Sequence, residues 1–126
     1  MFEKEMSRTF IQTNEFLHQW KKLGFGEEDL RRLELMIMHN PEIGVVMQGT
    51  GGLRKMRFAY EGRGKSGSTR VCYVDFAYYD TVYLLTVYAK NQKENLSKEE
   101  RNSIKKAVEL LESEVRRNNG RGDQNE

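Results

Sequence analysis

The sequence predicts an α+β fold: a small antiparallel sheet, made of a three-strand meander and a short N-terminal strand, with two N-terminal helices and one C-terminal helix. Apolar residues recur at helical spacing over two short segments before Pro41 and over one long segment after Ser97. Between them, β-branched and aromatic residues gather in runs separated by turn residues. A chain of 126 residues, 37% hydrophobic and 32% charged, suits one ordinary globular domain.

Each element has its own signal. Residues 7–12 alternate weakly around Phe10 and Ile11 and suggest the first strand. Thr13 or Asn14 can cap a helix carrying Phe16, Leu17, Trp20 and Leu23, which ends at Gly24 and Gly26. The acids Glu27, Glu28 and Asp29 suit the positive end of a second helix, with Leu30, Leu33 and Ile37 on one face and an end near Asn40, before Pro41. Residues 41–52, rich in glycine, are expected to be a loop. The meander is expected at residues 53–60, 69–77 and 81–88, with turns at 62–68 and at Tyr79 and Asp80. Ser97 and Glu100 form a capping box, and Ile104, Val108, Leu111 and Val115 place an apolar stripe on a last helix from residue 98 to about 117. The domain is thus expected over 1–117, and 118–126, which lacks apolar side chains, is expected to be a disordered tail.

Composition excludes several classes of function. Apolar runs such as residues 83–87 are too short to span a bilayer, so no membrane partner is expected. The start, Met1 to Glu5, does not resemble a secretory signal, and a lone Cys72 cannot form an internal disulfide, so a reducing cytoplasm is the expected location. His18 and His39 fall on separate helices without metal-ligand spacing, so neither metal nor cofactor is expected. Cys72 alternates within a strand and suits the core better than nucleophilic chemistry.

The distribution of charge says more than its net value of +2. Between Gly51 and Arg70 stand Arg54, Lys55, Arg57, Arg63, Lys65 and Arg70 against the single acid Glu61. Strand alternation puts Lys55 and Arg57 on one face and Met56 and Phe58 on the other, and Arg70 can join the first pair across the hairpin. A solvated polar face is the plainer alternative. It is weakened because the segment from Gly51 to Arg70 holds only one acid, Glu61, which leaves an outside anion such as a nucleic-acid phosphate to neutralise the cluster. Tyr88 and Lys90 end the last strand at matching parity, and Lys93 follows in the next loop. Aromatic and basic groups side by side suit single-stranded RNA, whose unstacked bases can rest on a ring. Residues 59–66 imitate a phosphate loop, but a strand and not a helix is expected to follow, which removes the helix N-terminus such a loop needs.

The strings Gly49-Thr50-Gly51-Gly52-Leu53-Arg54-Lys55-Met56-Arg57, Gly62-Arg63-Gly64-Lys65-Ser66-Gly67, Arg70-Val71, and Tyr88-Ala89-Lys90-Asn91 through Leu96 resemble the RelE/HigB family of toxins in order and spacing. The resemblance covers about residues 7–115. It implies a small sheet-and-helix toxin of a toxin-antitoxin system, an mRNA interferase that cuts messenger RNA in the ribosomal A site without metal. Its partners would be that mRNA, 16S-type ribosomal RNA, and a cognate antitoxin, of helix-turn-helix type, bound to the terminal stripe or to the basic groove. Carried over residue by residue, Lys55, Arg57 and Arg70 match the family's basic catalytic group, and Tyr88 and Lys90 its further catalytic position. Arg54, Arg63, Lys65 and Lys93 are expected to grip the nucleic-acid backbone. Some relatives use histidines in the site; here there are none at the matching positions. The competing functions are a ParE-like poison of DNA gyrase on the same fold, and a non-catalytic nucleic-acid-binding protein.

Overall fold

The computed structural model describes residues 7–59, 68–90 and 95–124. In chain order the elements are β1 (Thr9–Gln12), α1 (Asn14–Lys22), α2 (Glu27–His39), β2 (Val45–Val46), β3 (Arg54–Ala59), β4 (Ser68–Phe76), a 3-10 turn (Ala77–Tyr79), β5 (Thr81–Ala89) and α3 (Lys98–Gln124). The strands form one sheet in the order β1-β5-β4-β3-β2. The architecture is α+β, and the meander β3-β4-β5 is antiparallel throughout. Two features differ from the expected sheet. β1 lies parallel to β5, so the sheet is mixed. Val45 and Val46, expected in a loop, pair with Lys55 and Arg54 as a fifth strand; two β-branched residues fit a pleated edge even inside a glycine-rich segment.

Caps explain where the helices begin. Thr13 Oγ1 accepts from Phe16 N–H (3.0 Å) and donates to Leu85 O (2.8 Å), which starts α1 and ties it to β5. The Asp29 carboxylate accepts from Gly26 N–H (2.8 Å) at the head of α2, and Ser97 and Glu100 make the reciprocal pair at the head of α3. α3 reaches Gln124, so 118–124 are helical where the sequence predicts a disordered tail. No proline interrupts this stretch, and helical hydrogen bonding propagates once nucleated.

Each face of the sheet is buried by a different layer. Phe16, Trp20, Phe25, Leu33 and Ile37 from the α1–α2 region pack against Met56, Phe58, Val71, Tyr73, Val82, Leu84 and Val87. On the opposite face Val108 and Val115 of α3 pack on Val74, Phe76 and Tyr83, with Ile104 and Leu111 at the margin, so the predicted stripe docks on the sheet. The cross-strand rows beyond Val74, toward Ala59 and Ser68, carry Lys55, Arg57 and Arg70. Among the described residues no helix is long and apolar enough to cross a membrane.

Candidate functional site

Directly opposed residues of an antiparallel pair share a face, with Cβ atoms about 4.5–5.5 Å apart. Two adjacent rows on the α3 side of the sheet therefore build the site. One row is Val45, Lys55, Cys72 and Thr86; the next is Arg57, Arg70 and Tyr88. Lys55 and Arg57 project away from Met56 and Phe58, as strand parity predicts. Arg57 is exposed, whereas Lys55, Arg70 and Tyr88 are half-buried. Arg70 Nη1 donates to Ser68 Oγ (3.3 Å). Lys90 N–H donates to Ser68 O (3.1 Å), which continues the ladder past β5 and sets the exposed Lys90 at the next register position beyond Tyr88.

Tyr88 reaches this face because of an irregularity. Cys72 pairs with Thr86 but Tyr73 pairs with Leu84, leaving Leu85 as the extra residue of a β-bulge. Strict alternation from Tyr83, which packs under α3, would turn Tyr88 into the opposite core. The bulge reverses parity and puts both tyrosines on the same side.

Two hollows flank the rows. A groove of about 430 Å3 is lined by Ile43, Val45, Lys55, Met56, Arg57 and Arg70. A smaller apolar cavity of about 170 Å3 lies behind Tyr88, walled by Met47, Leu53, Cys72, Thr86, Leu96 and Ile104. Burial pushes the Cys72 thiol up to about 11, against the opposing effects of the Lys55 ammonium and a hydrogen bond with Tyr88. At neutral pH Cys72 is thus a protonated core thiol touching the site, not a nucleophile.

Not every expected residue joins the cluster. Arg54 pairs with Tyr73 on the other face, and its guanidinium donates to Gly44 O (2.6 Å) and Glu42 O (3.5 Å). Its expected place on the nucleic-acid surface is therefore corrected: it holds backbone. Arg63, Lys65 and Lys93 lie outside the described residues. The segment that imitates a phosphate loop starts at Ala59 on β3, and the next described element is the strand β4, with no helix to receive a phosphate. Sequence reasoning missed Ser68, Thr86 and the wall formed by Ile43 and Val45. Only the adjacent valines offered a signal, a β-branched pair before the glycine turn. Among the described residues no three His, Cys, Asp or Glu side chains are grouped as metal ligands.

The arrangement presents fixed positive charge, a phenol and a primary amine on one rigid sheet face. Comparison with solved structures places this sheet among known folds. The free-state structure of a doubly substituted mutant of the E. coli toxin RelE superposes with a TM-score of 0.50 at 16% identity, over 68% of this chain and 86% of that one. The isolated E. coli RelE toxin gives 0.49 at 15% identity, over 83% and 99%. A chain of the intact E. coli RelBE toxin-antitoxin complex gives 0.49 at 15% identity, over 68% and 100%. At such identities a structural likeness concerns the fold. The family itself rests on sequence: the family model described as the RelE toxin of the RelE / RelB toxin-antitoxin system matches residues 9–118. With most of its length matched, this chain belongs to the RelE toxin family.

Proposed function

We propose that this protein is a ribosome-dependent mRNA endonuclease that arrests translation and is held in check by a cognate antitoxin. The observation that carries the proposal is the convergence of Lys55, Arg57, Arg70 and Tyr88 on two neighbouring cross-strand rows of one sheet face. RNA supplies its own nucleophile, the ribose 2′-hydroxyl beside the scissile phosphate. Lys55 assists removal of the 2′-hydroxyl proton. Arg57 and Arg70 neutralise the extra negative charge on the phosphorane as the 2′-oxygen–phosphorus bond forms. Arginine keeps its proton under all ordinary conditions, so its part is electrostatic and not proton transfer. The 5′-oxygen leaves with a proton from Tyr88 or Lys90, giving a 2′,3′-cyclic phosphate and a 5′-hydroxyl.

An open face of this kind holds RNA by charge more than by enclosure. A substrate strand already positioned in the ribosomal A site removes much of the entropic cost of alignment. The shallow site supports ribosome dependence, with the chain working beside translating ribosomes in the cytoplasm.

Controlled expression with mapping of messenger 5′ ends tests the proposal. The wild-type chain should cut messages on ribosomes, and Lys55→Ala or Arg70→Ala should each reduce cutting by about 10²-fold or more. Intact messages accompanied by broken chromosomal DNA would sink the proposal in favour of a gyrase poison. Unaltered cutting in both variants would displace these residues from the chemistry.

A further inference from the structure

The groove beside the catalytic rows has two unlike walls. Lys55, Arg57 and Arg70 form one, and Ile43 and Val45 the other. They lie side by side on one sheet face, with Val45 next to Lys55 in its cross-strand row, around a space of about 430 Å3. That volume lies within the roughly 300–1,000 Å3 typical of small-ligand sites.

The apolar wall is firmly held. Gly44 N–H donates to the hydroxyl of the fully buried Tyr73 (3.0 Å), which donates onward to Pro41 O (2.7 Å). Arg54 Nη1 donates to Gly44 O (2.6 Å) from the same side. Glycine is required at 44, because a Cβ there would stand 2.9 Å from Tyr73 Cε1 and 3.0 Å from Arg54 Cβ. The β2 register then sets Val45 opposite Lys55. Despite this anchoring, Val45 is 72% and Ile43 37% exposed. The wall adds little to the core, and its exposed apolar area calls for a ligand.

Fixed apolar surface beside fixed positive charge matches one chemistry closely: a nucleotide, with an apolar base face at one end and an anionic phosphate at the other. A base can present its face to a side chain when it is unstacked, as in single-stranded RNA. Resting on the endonuclease proposal, we infer that Ile43 and Val45 form a base-binding wall for one nucleotide of the RNA, while Lys55, Arg57 and Arg70 hold the adjoining phosphate. The wall reads base shape through aliphatic contact, without hydrogen bonds, so it favours the presence of a base more than its identity.

Methyl NMR of the full chain tests this directly, using an RNA trinucleotide with 2′-O-methyl sugars that cannot be cut, and the same trinucleotide with one abasic position. Ring-current shifts at the Val45 and Ile43 methyls should accompany binding of the intact trinucleotide. Affinity for the abasic form should fall about tenfold with the abasic site at one of the three positions. The double variant Ile43→Ser with Val45→Ser should lose that discrimination while keeping its thermal midpoint, since both positions are exposed. Equal affinity for intact and abasic forms, unmoved methyl resonances, or no binding at all would overturn the inference. Cleavage is not read in this experiment, so base discrimination by a chain that cuts nothing would sink the endonuclease proposal alone.

Discussion

Cys72 occupies the middle of the row that holds Lys55, and its protonation links site and stability. Burial raises the thiol from 9.0 to about 11 in the folded chain. The folded state therefore keeps its proton over a range where the unfolded chain releases it. The associated stability is fully present below pH 9 and is lost as pH rises toward 11, an effect on the order of 2 kcal/mol. Urea midpoints measured at pH 8.5 and pH 11 should fall further for the wild type than for Cys72→Ala. Tyr73 and Tyr83, also raised by burial, contribute equally to both proteins and cancel. Parallel falls would refute the assignment. At this scale much of the site was legible: a strand repeats every two residues, so Lys55 and Arg57 separate from Met56 and Phe58 without any knowledge of their neighbours. Arg54 was misjudged because it was grouped by charge when its parity already put it beside Met56. Its true role needed Gly44 and Tyr73, which sequence distance hides.

Strands and helices set the limits of what pattern alone conveys. The meander and all three helices were evident because caps, turns and apolar periods agree on them. The bulge at Leu85 was not, since it has no residue signature of its own, yet it decides which way Tyr88 faces. β2 was too short to show alternation, and the direction of β1 depends on which strand it meets. β1 is only four residues long, pairs with β5 along its length, and has a further anchor just before it. Arg8 Nε and Nη2 donate to the two Asp75 carboxylate oxygens (2.9 and 3.3 Å), reaching past β5 to β4. Both side chains are largely buried, at 16% and 11% exposure. Removing Asp75 leaves the largely buried Arg8 only its longer contact to the exposed Asp80 (3.5 Å), so Asp75→Ala should cost about 2 kcal/mol. Hydrogen exchange locates the effect: Thr9–Gln12 amides should exchange faster while the β3–β4 ladder keeps its protection. Unchanged exchange in β1 would mean that the ion pair does not secure the strand.

For the molecule as a whole, a net charge of +2 would describe the proposed affinity for RNA poorly, because the two sheet faces differ in what covers them. α1 and α2 cover one face completely enough to make a core, while α3 covers only part of the other and leaves Lys55, Arg57 and Arg70 beside a groove. Binding should therefore depend on salt through a few local cations. Each phosphate contact to a single strand releases counterions and adds about 0.7 to the steepness of log affinity against log salt. Arg57→Ala and Arg70→Ala should each flatten that slope by about 0.7 for an uncleavable RNA. Lys21→Ala removes the same charge from α1, on the opposite layer, and should leave the slope unchanged. Equal flattening by all three variants would mean that RNA responds to total charge and not to this face. A difference confined to Arg57 and Arg70 would tie affinity to the face on which the proposed chemistry takes place.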